Sequence, residues 1–375
     1  MDKNLNIVCH DIPWPVSHGG FFDLFYKLKE FHKAGIKIHL HCFYSKRKFA
    51  EELNKYCISV NYYKRKKIAF SFSVPFIVNS RRNSLLLQNL KKNDFPVLFE
   101  GIHCTYNLFK NNLSERRVIV RLHNVEFKYY YGLSKCESNI LKRFYFKIES
   151  YILKKYEKQI ANKALFITVS EKDKSIYQNE FHAREIEFIP VYIPFNKVLS
   201  NAGKGDFCLY HGNLEINENE KAAIWLIENV YKSIDQKLII AGRNPSARLQ
   251  KEVLKYDNVV LKINPSDKEI ETLLSEAQIN ILPSFNNTGV KLKIINSLFT
   301  GRFCLVNSRA IDNSGLSELC VVAETPQEMQ MEVEKLFSQT FTQKMVEERE
   351  NKLLKIFDNE ENTKKIISLI FQKHQ

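Results

Sequence analysis

Residues Ile279–Gly301 read INILPSFNNTGVKLKIINSLFTG. The apolar run Ile279–Leu282 predicts a buried strand ending at Pro283-Ser284, and a turn then leads into a helix beginning near Thr288-Gly289. Val290, Ile294 and Leu298 form the core-facing stripe of that helix. Lys291 and Lys293 fall in its first turn, where the macrodipole already places partial positive charge, and no acid nearby offsets them. Open backbone N–H groups and two ammonium groups together make an anion site suited to a diphosphate. Gly289 permits close approach of the ligand. Asn296 shares the helix face of Lys293. The alternative is an ordinary surface helix with solvated lysines.

The same strand–turn–helix unit repeats outward. In the second half, strands are expected at Phe207–Tyr210, Lys237–Ala241, Val259–Leu261, Phe303–Val306 and Leu319–Val322, with helices between them. In the first half they are expected at Leu5–Cys9, Ile36–Phe43, Ile58–Tyr62, Pro96–Phe99, Val118–Leu122 and Ala164–Val169. Helical spacing marks Phe21–His32 and a long segment near 138–162, and Ser170 with Asp173 reads as a helix cap. The polar, turn-rich stretch Val191–Gly205 divides the halves as a linker. This pattern predicts an α/β protein: two Rossmann-like, doubly wound parallel sheets facing across a cleft, with ligands beyond the carboxyl ends of the strands. The expected domains are 1–190 and 206–375, the last helix being able to pack back on the first domain.

Composition narrows the class. The chain has 375 residues, 44% hydrophobic and 26% charged, with only 12 glycines and 10 prolines, which excludes collagen-like and low-complexity chains. No apolar run is long enough to span a membrane, and the first twenty residues lack the apolar core of a secretory signal. None of the 8 cysteines forms a C-x-x-C pair, which speaks against a zinc knuckle and points to a reducing, cytoplasmic compartment. No His/Asp/Glu cluster has metal-ligand spacing, so no metal is expected. The net charge is +14, and residues 1–190 carry a balance of +15 against −1 for the rest. The first half therefore meets something anionic.

The segment Thr288–Gly301 resembles the E-G-x-G-x-x-x-L-E-A-x-A-x-G signature of retaining, nucleotide-sugar-dependent glycosyltransferases of group 1, which have the glycosyltransferase B fold. Aligned on Gly301, the signature's two acids fall on Thr288 and Asn296, and the next small residue on Ser297. The run T-G-V-K-L-K resembles a subset found among bacterial polysaccharide-type mannosyl- and glycosyltransferases. The resemblance implies that the first domain binds the acceptor and the second the nucleotide sugar. It also implies transfer with retention, needing neither protein nucleophile nor metal, and a domain closure that excludes water. Asn296 would hold the ribose through its amide, and Thr288 would stand where the donor sugar is contacted.

Further segments extend the resemblance. HDIPWPVSHGG is similar to the family's first loop, whose paired glycines, here Gly19 and Gly20, approach the donor phosphate. RLHNVEF places His123 just past a strand, where the family's histidine contacts the donor sugar, with Glu126 as a secondary acceptor or loop-orienting residue. VLFEGIHC sets Glu100 and His103 past another strand end, facing the acceptor, with Glu100 able to bind or deprotonate its hydroxyl. His211-Gly212-Asn213 is read as a donor-contacting loop, and Arg243 as a partner of Lys291 or Lys293 on the phosphates. The expected donor is a GDP- or UDP-linked sugar, acting as substrate with no separate cofactor, and the acceptor a glycan or lipid-linked hydroxyl. Tyr62–Phe72 (YYKRKKIAFSF) and the long helix interleave cations with aromatics, which suits an anionic membrane surface on the inner face of the cell membrane. Competing readings are a polyanion- or nucleic-acid-binding protein, a sugar-nucleotide epimerase, or a non-catalytic member of the fold. No zinc finger, RRM-like signature or helix-turn-helix pattern supports nucleic acid.

Overall fold

The computed structural model describes residues 3–16, 19–113, 115–137, 139–286, 289–312 and 314–371. The chain divides into two compact units, Met1–Pro194 with Phe357–Gln375, and Phe195–Ile356.

The first unit holds a seven-stranded sheet. Its strands are β1 (Asn4–Cys9), β2 (Lys37–Tyr44), β3 (Ser59–Lys64), β4 (Val97–Glu100), β5 (Val118–Leu122), β6 (Leu165–Thr168) and β7 (Ile186–Phe188). Every pairing is parallel, in the order β3-β2-β1-β4-β5-β6-β7. β4, β5 and β6 are buried along their whole length, as continuous apolar strands covered on both faces must be. Val97, Phe99, Val118, Val120 and Leu122 pack on one face, Leu98 and Ile119 on the other. The second face is covered by α1 (Gly19–Lys33), whose Leu24, Phe25, Leu28 and Phe31 form its apolar stripe. α2 (Glu126–Cys136) and α3 (Ile140–Ile160) follow β5. The Ser170 side chain accepts from the Asp173 N–H, as the sequence predicts for that helix start. β7 and α2 are elements that the hydrophobic spacing does not announce.

The second unit has a six-stranded parallel sheet in the order β10-β9-β8-β11-β12-β13. The strands are β8 (Phe207–Asn213), β9 (Lys237–Arg243), β10 (Val259–Ile263), β11 (Ile279–Ile281), β12 (Phe303–Val306) and β13 (Val321–Val322). α4 (Asn217–Asn229) follows β8, and α5 (Leu292–Thr300) lies between β11 and β12. The C-terminal helix α6 (Asn359–Phe371) belongs to the first unit. Its Ile366 and Ile370 join the α1-side core, and Asn359 exchanges hydrogen bonds with the Ile193 backbone at 3.1 and 2.7 Å.

Candidate functional site

In the first unit, strand alternation decides which side chains meet. With Val118, Val120 and Leu122 on the far face, Arg121 must turn towards α1, and Glu100 follows Leu98 to that same side. There they meet Asp23 and Lys27, one turn apart on α1 and both fully buried. Asp23 is the hub. It accepts from Arg121 Nε and Nη2 at 3.1 and 3.0 Å, Lys27 Nζ at 3.0 Å, His123 Nε2 at 3.1 Å and the Tyr192 N–H at 2.9 Å. Lys27 Nζ also lies 2.8 Å from Glu100 Oε1, and His123 Nε2 lies 3.7 Å from Glu100 Oε2. Burial works against the Asp23 charge, but Arg121, Lys27 and His123 hold its carboxyl well below the usual range.

His123 is the partly open member of this cluster, with 15% of its side chain exposed. Gly20, in the first turn of α1, backs onto it: a Cβ there would lie 3.4 Å from His10 Cε1 and 3.8 Å from His123 Nδ1. Gly19 is the first residue of α1. The structure thus brings Gly20, His123 and Glu100 together, but the roles expected of Glu100 and His103 need correction. Glu100 is buried and faces Lys27 rather than an open acceptor surface. His103 is half-buried, its Nδ1 enclosed, and stacks on His10 with ring centroids 5.0 Å apart. Burial, then His10 and Arg81, holds its pKa well below the ordinary value, so it stays neutral. Glu126 opens α2 from a buried position, and burial with the neighbouring Glu157 raises its pKa to about 8.

Asp23, Glu100 and His123 offer ligand atoms within 4.8 Å of one another, a grouping that sequence spacing did not reveal. The residues do not call for a cation there. The Lys27 ammonium already sits against both carboxylates and Arg121 brings a second charge.

In the second unit, four expectations change. α5 begins at Leu292 with Lys291 as its N-cap residue, so Lys291 precedes the first turn and only Lys293 lies within it. An acid does offset the lysines. Glu218, in the first turn of α4, lies 3.8 Å from Lys291 Nζ and accepts from Ser284 Oγ at 2.9 Å and Asn286 Nδ2 at 3.2 Å. His211-Gly212-Asn213 is the end of β8, because that strand pairs with β9 as far as Asn213. Arg243 is likewise the last residue of β9 and not a residue beyond it. Thr288 lies outside the described residues.

Gly289 has φ +64°, a left-handed conformation that a side chain would strain. Lys293 Nζ donates to Asn219 Oδ1 at 3.3 Å and Tyr210 Oη at 3.4 Å and sits 4.7 Å above the Tyr210 ring. Burial lowers its pKa to about 8, with Glu218 opposing and Lys291 reinforcing the shift. One turn on, Asn296 Oδ1 is buried and finds no hydrogen-bond partner among the described residues. His211 Nε2 lies 3.3 Å from Ser297 Oγ, and burial with Lys293 pushes its pKa down to about 3. His211 is therefore a neutral packing residue. A Cβ on Gly212 would meet the Asn219 amide at 3.4 Å, which keeps that amide close to the end of β8. Arg243 is more than half exposed, 3.5 Å from Asp267.

Two groups of residues escaped the sequence reading. Asp23, Lys27 and Arg121 carried a signal: charges on an apolar helix stripe and inside the strand VIVRL. Glu218, Asn219 and Tyr210 carried none, since about seventy or more residues of chain separate them from Lys291 and Lys293.

No family model matches the chain. It is 29% identical over 332 residues to a Klebsiella pneumoniae protein described as an uncharacterized 44.6 kDa protein in the cps region, covering 82% of this chain and 84% of that protein. Among solved structures it is similar to TarM, at TM-score 0.71 and 11% identity, over 99% of each chain. It is also similar to a glycosyltransferase from Rickettsia africae, at 0.66 and 15%, over 98% of each chain. The chain has the glycosyltransferase B fold. A third protein of similar structure, HepE of Anabaena, was solved in complex with UDP-glucose. It matches at TM-score 0.63 and 12% identity, over 97% of this chain and 99% of that one.

Proposed function

We propose that this protein transfers a sugar from a nucleoside-diphosphate sugar to a hydroxyl of a glycan or lipid-linked acceptor. The observation that carries the reading is the start of α5. Two lysines gather there beside a left-handed Gly289, and one of them, Lys293, is held by neutral acceptors at a depressed pKa. Such a cation gains most from a dianion placed against it. Lys291, Lys293 and the backbone N–H groups of the helix start would stabilise the charge that builds on the leaving diphosphate. Asn296 would offer its amide oxygen to the ribose hydroxyls. In the first unit His123, fixed by Asp23, would contact the sugar, while Glu100 acts by holding Lys27 and the His123 side of the cluster. Arg243 would meet the outer phosphate after releasing Asp267.

The resemblance to group 1 enzymes supports retention and a reaction without metal. The cps-region relative supports a surface-polysaccharide role, and the UDP-glucose complex of HepE supports UDP as the first nucleotide to try, with GDP second. The test is incubation of the chain with UDP- and GDP-linked sugars, with and without EDTA, followed by mass spectrometry. Release of nucleoside diphosphate with one donor, undiminished by EDTA, is expected. Turnover of none, or turnover that depends on added metal, would overturn the corresponding part of the proposal.

A further inference from the structure

α3 is apolar on two sides. Its buried side, with Ile152, Leu153, Tyr156 and Ile160, faces the core of the first unit. A second stripe at 141, 144, 148 and 151 follows the same helical spacing but points outward: Leu141 is 82% exposed, and Phe144, Ile148 and Tyr151 are exposed as well. The segment 70–76 is tied to this helix at Phe76, whose N–H donates to Glu149 of α3 and whose ring packs on Phe70 at 5.9 Å. That segment presents Phe70 and Phe72, the latter with its ring wholly in solvent. Single exposed apolar residues are ordinary, but a helical stripe beside two exposed phenylalanines is a patch of the kind that marks an interaction surface.

The charge around the patch says what covers it. Residues 64–73 contain four consecutive cations, Lys64 to Lys67, and no acid. Along 140–155, Lys142, Arg143, Lys147 and Lys155 are exposed, and the one acid in the span, Glu149, is buried in its contact with Phe76. Among the described residues, Lys154 alone of this span's exposed cations is in an ion pair, with Glu180 at 3.0 Å, and aromatic side chains among the other cations fit a surface that is apolar just beneath an anionic layer. Lysine stems lie along apolar material while their ammonium groups reach the charged layer. We infer that the outer stripe of α3 and the 64–73 segment dock the protein on an anionic lipid bilayer, with Phe70, Phe72, Leu141 and Phe144 entering below the headgroups. The inference is independent of the donor site proposed at the start of α5, which belongs to the second unit.

Vesicle flotation of the full chain tests it, using phosphatidylcholine vesicles and vesicles that also contain phosphatidylglycerol. The expected result is flotation with the anionic vesicles alone, weakened by salt. Phe72→Ser with Phe144→Ser should lower the bound fraction about tenfold or more. Lys66→Gln and Lys67→Gln should each lower it about fivefold. All of these side chains are exposed, so the melting temperature should not change. Equal recovery on both vesicles, recovery on neither, or anionic binding untouched by both sets of substitutions would overturn the inference. So would a wild-type dimer in light scattering that the phenylalanine substitutions disperse, because the patch would then belong to a second copy.

Discussion

Asp23 Oδ2 lies 3.1 Å from His123 Nε2, and the same carboxylate is gripped by Arg121 and Lys27. A carboxylate kept ionised at that point places the imidazole proton on Nε2. The other ring nitrogen, Nδ1, lies towards Gly20. Asp23 is thus a positioning residue for His123.

His123→Ala should lower turnover by about a hundredfold or more, in keeping with loss of a positioned polar group at the reacting centre. Its stability should change little, because the ring is partly open. Asp23→Asn should behave differently. It leaves the buried Arg121 without its hydrogen-bonded counter-charge and Lys27 with Glu100 alone, at a cost of about 3–5 kcal/mol in denaturant unfolding. Wild-type turnover in His123→Ala would remove this residue from the mechanism.

Lys293→Ala should weaken nucleoside-diphosphate binding about 10- to 100-fold, the worth of one charge-assisted hydrogen bond of about 1.5–3 kcal/mol. Lys293→Arg should recover part of it. Calorimetric titration with UDP and GDP separates the variants.

The depressed pKa of Lys293 gives binding a pH dependence. In the free protein the amine titrates at about 8. A bound diphosphate favours the ammonium and raises that value, so binding takes up a proton near and above pH 8 and affinity falls as pH rises. Titrations in buffers of differing ionisation enthalpy should show this uptake in the wild type and not in Lys293→Ala.

A second titration acts on stability. Burial, as the largest influence, raises Glu126 to about 8 and Glu157 to about 7, both from 4.5. The folded state therefore binds more protons than the unfolded state between roughly pH 4.5 and 8, and their contribution to stability is lost as pH rises through that window. The melting temperature should decline from pH 5 to 8 on their account, against the opposite pull of His211, which strengthens folding as pH rises from about 3 to 6.5. Glu126→Gln should flatten the decline above pH 6.

Much of the fold was legible because parallel strands buried on both faces must be short continuous apolar runs. VIVRL marks β5 at its true bounds, and LNIVC all but one residue of β1. The three-residue β7 has no such run, and β8 extends through His211-Gly212-Asn213, whose polar letters read as a loop. Candidate site residues were legible where one segment brings them together, as with Gly289 and the lysines after it. Their partners were not. Glu218 reaches Lys291 only through the packing of α4 beside the Ser284 turn, and Asp23 reaches His123 across a sheet face, 100 residues away.

The central claim is that the diphosphate of a sugar donor sits at the start of α5. A crystal structure grown with UDP or GDP tests it most directly. The account predicts phosphate oxygens about 3 Å from Lys293 Nζ and from the backbone N–H groups near Gly289, with Lys293 drawn off Tyr210. A diphosphate bound elsewhere, with Lys293 still on Tyr210 and Asn219, would contradict it.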